Sequence, residues 1–225
     1  AQPKQFRWMI PHNQRTSRTS DLPAVFKENS PVVICDRIFA RELSAAYQIP
    51  EYNIWPIVPG LSYQFDSFRL DTVAGKHNDI GGSCDLACAR FGDPENSMVG
   101  PLNSYGCLFN TSFLFTLTNH YRIGFAAGVD VKGMALAWKG IGIDLLLRQR
   151  LVYARPEEYT EDCKLLGGQL IVPMHHDAAF EWNADMNAYA QTVNGLLRQD
   201  GVPMTMFNPQ RLKWYKVQAG ICSEW

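Results

Sequence analysis

The stretch Gly167-Gly168-Gln169-Leu170-Ile171-Val172-Pro173-Met174-His175-His176-Asp177 sets a glycine pair, a short apolar run and a polar cluster in immediate succession. An apolar run of this length between turn signals has the length of a buried strand. Past Asp177 the period changes. Trp182, Met186, Tyr189, Val193 and Leu196-Leu197 recur at steps of three and four, while Asn183, Asn187, Gln191 and Asn194 fall on the opposite side. This is the apolar face of an amphipathic helix. The pattern predicts a strand over 169–174 and a helix near 178–199, with Asp177 at its positive end and Asp200-Gly201 as its stop.

Upstream of this stretch, residues 107–118, 121–129 and 131–138 are rich in β-formers and are punctuated by Asn119-His120 and Asp130, which predicts an antiparallel meander. Residues 143–153 suit a helix at their Leu-rich start and a strand at Leu151-Val152-Tyr153. Nearer the N-terminus, Pro31-Val32-Val33-Ile34-Cys35 reads as a short buried strand. Asp36 then caps a helix running to about Tyr47, with Ile38, Leu43 and Ala46 inward and Pro50 beyond its end. Residues 51–60 read as an ordered irregular connection and 63–70 as a strand. Residues 75–82 form a Gly-rich turn, a long loop surrounds Gly92 and Gly100, and a last strand spans 212–218. Strands and helices without a regular βαβ alternation favour α+β, a single domain over 31–225 built on a largely antiparallel sheet.

Residues 1–30 carry Lys4, Arg7, Arg15 and Arg18 among polar residues with no sustained period, and read as an extended arm. Such a segment must find backbone partners on its own body or on a neighbour. Phe6, Trp8, Met9 and Ile10 would anchor it, because large apolar side chains are costly to leave in water.

The chain has 225 residues, enough to bury a substantial core. With 21 Lys and Arg against 22 Asp and Glu, it lacks the basic field that nucleic-acid binding needs. No apolar run approaches the roughly 20 residues of a membrane span. The Ala1-Gln2 start suits cleavage after a signal sequence, which favours a virion, extracellular or periplasmic location over the cytoplasm. Cys35, Cys84, Cys88, Cys107, Cys163 and Cys222 form an even set whose scattered spacing favours buried thiols over a disulfide framework. Asn110-Thr111-Ser112 matches the glycosylation sequon.

The chemistry-bearing residues gather in few places. His176 and Asp177 are the candidate catalytic pair, a general base with a carboxylate beside it. His175, His77 and Asp79 are the candidate metal ligands, since a metal would need donors from distant segments. Adjacent histidines on an extended backbone point to opposite sides, so only one of His175 and His176 can share a site with Asp177 unless the backbone bends. Cys84 and Cys88 lack a second pair, and Gly140-Ile141-Gly142 is an incomplete dinucleotide fingerprint. No motif specifies a cofactor.

These features predict a structural or assembly protein, a virion component or a subunit of a secreted or envelope assembly. It would dock through its arm on other protein subunits as a homo- or hetero-oligomer. A hydrolytic, possibly metal-dependent enzyme with a site around His175, His176 and Asp177 is the alternative. A secreted, disulfide-containing binding domain is the third reading.

Overall fold

The computed structural model describes residues 8–9, 22–76, 109–150, 155–175, 185–210 and 213–217. In chain order its elements are β1 (Trp8–Met9), α1 (Leu22–Asn29), β2 (Val32–Asp36), α2 (Arg37–Tyr47), a 3-10 turn (Glu51–Asn53), β3 (Ile54–Ile57), β4 (Ser62–Gln64), β5 (Phe68–Lys76) and β6 (Phe109–Leu117). These are followed by β7 (Arg122–Ala126), α3 (Val131–Ala137), β8 (Leu145–Gln149), α4 (Pro156–Leu166), β9 (Leu170–Met174), α5 (Met186–Gln199) and β10 (Thr205–Met206). The chain divides into two units, residues 1–61 with 72–111, and residues 62–71 with 112–225.

The first unit holds a three-stranded parallel sheet in the order β1-β2-β3. The apolar run expected as a strand is β2, and the helix expected from Asp36 to Tyr47 is α2. Val33 and Cys35 share one face of β2, as alternate residues must, and bury against Leu43 and Ile49, with Phe26, Ala40, Tyr47 and Ile54 packed around them. The chain leaves α2 through Gln48, whose φ of 53° reverses its direction, and the Ser44 hydroxyl donates to the Ile49 carbonyl at 2.6 Å. The N-terminal segment is more regular than its sequence suggests. Trp8 and Met9 pair with Val32 and Val33, and 22–29 is helical, so part of the expected arm finds its backbone partners on this same chain.

The second unit is organised by the seven-stranded sheet, ordered β10-β9-β8-β7-β6-β5-β4. The α+β reading with a large sheet holds, and the pairing changes character along the sheet. β4 pairs antiparallel with β5 and β6 with β7, whereas β7, β8, β9 and β10 are mutually parallel. The expected single strand over 63–70 is the β4–β5 hairpin. Rings of Phe65, Phe68, Phe113, Phe115 and Phe125 form a chain of tilted contacts with centroids 4.8 to 6.3 Å apart, a favourable aromatic geometry.

From β7 onward the chain alternates strand and helix. Each parallel strand is added beside the last, and right-handed crossovers then place α3, α4 and α5 on one face. The packing of α3 on α4 and of α4 on α5 agrees. This alternation departs from the expected meander because 131–138 is helical at its core. The Asp130 carboxylate accepts from the Gly133 amide at 3.0 Å, and Val131, Met134 and Trp138 bury at steps of three and four. The helical period was present in the sequence, but the β-forming valine and tryptophan outweighed it. Residues 143–153 contain the strand β8, buried on both faces as an internal parallel strand must be. Gly168 follows α4 with φ 135°, and a Cβ there would stand 2.9 Å from the Leu146 Cβ, so glycine is required where the chain enters β9.

Helix α5 corrects the expected start. Its cap is Asp185, whose side chain accepts from the Asn187 and Ala188 amides at 2.9 and 3.0 Å. Asp177 and Trp182 lie outside the described residues. Met186, Ala190, Val193 and Leu197 are buried and Tyr189 is half-buried, close to the face read from the sequence. The last strand among the described residues is β10, ahead of the expected 212–218; residues 213–217 adopt no regular element, and 212 and 218 lie outside the described residues. Replacing Asp185 by alanine should lower stability by about 1 kcal/mol in urea denaturation, because two N-terminal amides lose their acceptor. An unchanged midpoint would show that the helix does not depend on this cap.

Candidate active site at the carboxyl edge of the parallel strands

In an open sheet of parallel strands, the loops leaving the carboxyl ends form the usual binding crevice. Here that edge is made by Ala126 to Asp130 after β7, Gln149 and Arg150 at the end of β8, and His175 after β9. Arg150 and His175 are brought together by register. Gln149 is paired with Met174, and the Arg150 amide donates to the Met174 carbonyl at 2.9 Å.

His175 has φ 60°, a left-handed conformation that non-glycine residues adopt at some cost and that histidine tolerates better than most. The chain therefore bends at His175. Adjacent histidines must diverge only on an extended backbone, and His175 is not extended. His176 and Asp177, the candidate catalytic pair, lie outside the described residues, as do the candidate metal ligands His77 and Asp79. Of the proposed anchors, Phe6 and Ile10 also lie outside them, while Trp8 and Met9 belong to β1.

The residues the sequence reading overlooked are at the end of β8. Arg148 has no exposed surface, Gln149 and Arg150 are buried, and all three follow an apolar Leu145-Leu146-Leu147 run. Polar residues closing a buried strand were the available signal, hidden because this segment read equally as a helix. Arg148 Nη1 donates to the carbonyls of Ala126 at 3.3 Å and Gly128 at 2.9 Å, and Nη2 pairs with Asp162 Oδ2 on α4 at 3.0 Å. Gln149 Oε1 accepts from the Gly128 amide at 2.8 Å. The Arg150 guanidinium stands 4.5 Å from the centre of the Tyr189 ring, a cation–π distance, and Tyr189 meets Tyr159 edge-on at 5.8 Å. The Tyr159 hydroxyl in turn donates to the Arg148 carbonyl at 3.2 Å.

The described cysteines are not nucleophiles. Cys35 and Cys163 are free, buried thiols, each pushed up to about 12, mainly by burial and further by Asp36 and Asp162 respectively. Arg148 and the Tyr159 hydroxyl act the other way on Cys163, too weakly to offset burial. The sequon is equally inert, since Asn110, Thr111 and Ser112 are buried in β6.

Among the described residues, no group of three His, Cys, Asp or Glu side chains is placed to hold a metal ion. His120 sits in the turn between β6 and β7, away from the carboxyl edge. The described residues therefore do not by themselves supply a metal site.

No family model matches the sequence, and no curated protein matches it. Solved structures do. Igni18, a metallo hydrolase from the hyperthermophilic archaeon Ignicoccus hospitalis, superposes with a TM-score of 0.63 at 11% identity over 90% of this chain and 76% of its own. A protein assigned as a metal-dependent hydrolase from Parabacteroides distasonis gives 0.58 at 8% identity, over 92% and 77%. The metallo-beta-lactamase fold protein YhfI from Bacillus subtilis gives 0.55 at 9% identity, over 90% and 75%. At such identities the likeness shows the fold. It overturns the expected structural or assembly role, and with it the virion reading: the solved proteins that share this fold include metallo-hydrolases, and part of the expected docking arm pairs with the chain's own β2.

The buried acids give a pH dependence whose sign is fixed. The thiols of Cys35 and Cys163 rise from 9.0 to about 12 and the Tyr189 phenol from 10.0 to about 12, all chiefly through burial. An acid whose neutral form is favoured by folding contributes stability that is complete below its unfolded value and is lost as pH rises through the folded one. The urea midpoint should therefore fall steeply between pH 9 and 12, and Cys163→Ala should flatten part of that fall. A midpoint level to pH 11 would contradict the burial of these groups.

Proposed function

We propose that the protein is a hydrolase whose site lies at the carboxyl edge of β7, β8 and β9. The observation that carries this is the left-handed conformation of His175 at the carboxyl end of β9, where the His175-His176-Asp177 cluster begins in sequence. The fold likeness to metal-dependent hydrolases supports the reaction class without specifying a substrate.

The chemistry follows from the residue types. A neutral histidine, His176 in this reading, takes a proton from the attacking water as general base, and the Asp177 carboxylate orients the imidazole and stabilises its cation. Water adds to the scissile carbonyl or phosphoryl centre, the bond to the leaving group breaks, and the proton returns to that group. His175, held by its backbone, orients substrate beside Arg150. The metal-ligand role expected of His175 belongs to the same proposal, and a metal it helped to hold would polarise the scissile bond. That of His77 and Asp79 rests on the sequence alone, since both lie outside the described residues.

A panel of chromogenic phosphodiester, carboxylic ester, thioester and β-lactam substrates, run with and without added zinc or manganese, tests this. Turnover of one bond class should rise through an apparent pKa near about 6.5. His175→Ala and His176→Ala should each reduce kcat/KM on the order of 10² to 10⁴-fold with unchanged far-UV circular dichroism. Folded protein that turns over no class, or variants that keep wild-type rates, would overturn the proposal.

A further inference from the structure

Successive residues of a strand point to opposite faces of its sheet, yet Arg148 and Gln149 reach the same residue, Gly128, just past the end of β7. The Gly128 carbonyl accepts from Arg148 Nη1 at 2.9 Å, and the Gly128 amide donates to Gln149 Oε1 at 2.8 Å. Gly128 has φ 82°, open to glycine at little cost. Ser112 on β6 completes the arrangement. Its Oγ accepts from the Ala127 amide at 3.2 Å and lies 3.1 Å from the Ala127 carbonyl, its proton being shared between that oxygen and Met134 Sδ at 2.9 Å. With the Ala126 carbonyl also held by Arg148, every main-chain polar group from the Ala126 to the Gly128 carbonyl is reached by a buried side chain.

Stability alone does not account for this. Burying a guanidinium is costly, and a buried ion pair is often replaceable by apolar residues without loss. The Arg148 Nε is moreover buried with no hydrogen-bond partner among the described residues. Its carboxylate partner, Asp162, is partly exposed on α4, so much of the charge compensation comes from main-chain carbonyls of the β7–α3 junction. What the arrangement secures is the geometry of that junction, where it borders the carboxyl edge.

We propose that Arg148 and Gln149 are positioning residues. They hold the two peptide groups that flank the Gly128 Cα, so that the junction from Ala126 to Asp130 forms a rigid wall against which substrate is oriented. This rests on the hydrolase reading for its catalytic consequence, but the clamp itself is measurable without turnover. A rigid wall acts on the reacting geometry, so its loss lowers kcat more than it raises KM.

The experiment compares wild type, Arg148→Met and Arg148→Lys by amide hydrogen exchange at Ala127 and Gly128, and by kcat and KM on whichever panel substrate the wild type hydrolyses. Arg148→Met should fold, with exchange at these amides accelerated about tenfold or more. Its kcat should fall roughly 10 to 100-fold with KM within about twofold. Arg148→Lys, which can still reach one carbonyl, should recover part of both. Should Arg148→Met fail to fold, Gln149→Leu reads the other half of the clamp, and Gln149→Glu, which keeps an acceptor, should restore wild-type exchange and kcat. Accelerated exchange with unchanged kcat overturns the positioning role, and unchanged exchange overturns the clamp. Absence of any wild-type turnover beside accelerated exchange overturns the hydrolase reading and upholds the clamp.

Discussion

A guanidinium within a parallel sheet must have its charge and its donors met locally, and the way Arg148 meets them constrains the second unit. It lies on an internal strand with no exposed surface. One nitrogen turns to Asp162 on α4 and another to the carbonyls that end β7. Strand, following helix and preceding loop are thereby fixed to one another by a single side chain. Because removing one partner of such a group leaves the other charge buried and uncompensated, these elements are expected to form as one cooperative piece. Asp144 performs a simpler service at the opposite end, where its carboxylate accepts from the Arg122 amide at 2.7 Å and aligns the starts of β7 and β8.

This constraint gives the carboxyl edge its character. The β7 exit is held by buried side chains, the β8 exit carries Arg150 stacked over Tyr189, and the β9 exit bends at His175. A sheet of this topology is common to proteins of many activities, and the likeness to metallo-hydrolases, at 8 to 11% identity, shows the fold alone. The described part of the edge differs in donor type from a metal-centred site. It presents cations and a fixed main chain, whereas the carboxylate and further histidine of the candidate cluster follow in sequence.

Much of the fold was legible where period and punctuation agreed. Val32 to Cys35, the helix after Asp36, the strand ending at Met174 and the apolar face through Met186 and Val193 all follow from local patterns. The failures have physical causes. In 131–138 a valine and a tryptophan suggested a strand, although Asp130 and Gly133 form a cap and the buried positions have helical spacing. That one misreading hid the βαβ alternation and hence the parallel edge. The Arg148 clamp was illegible for a different reason: its contacts span about 20 residues, and nothing local distinguishes a buried arginine from a surface one. The bend at His175 is likewise invisible in the sequence, since histidine carries no backbone signal comparable to glycine.

Ligand chemistry at the carboxyl ends of β7, β8 and β9 is the central requirement of the proposed function. It is tested most directly by an amide chemical-shift map of isotopically labelled protein, titrated with the product of its preferred hydrolysis. Perturbations clustered at Ala127, Gly128, Arg150 and His175 are predicted. Perturbations confined to the opposite ends of these strands, around His120 and Asp144, with none at the carboxyl edge, would contradict it.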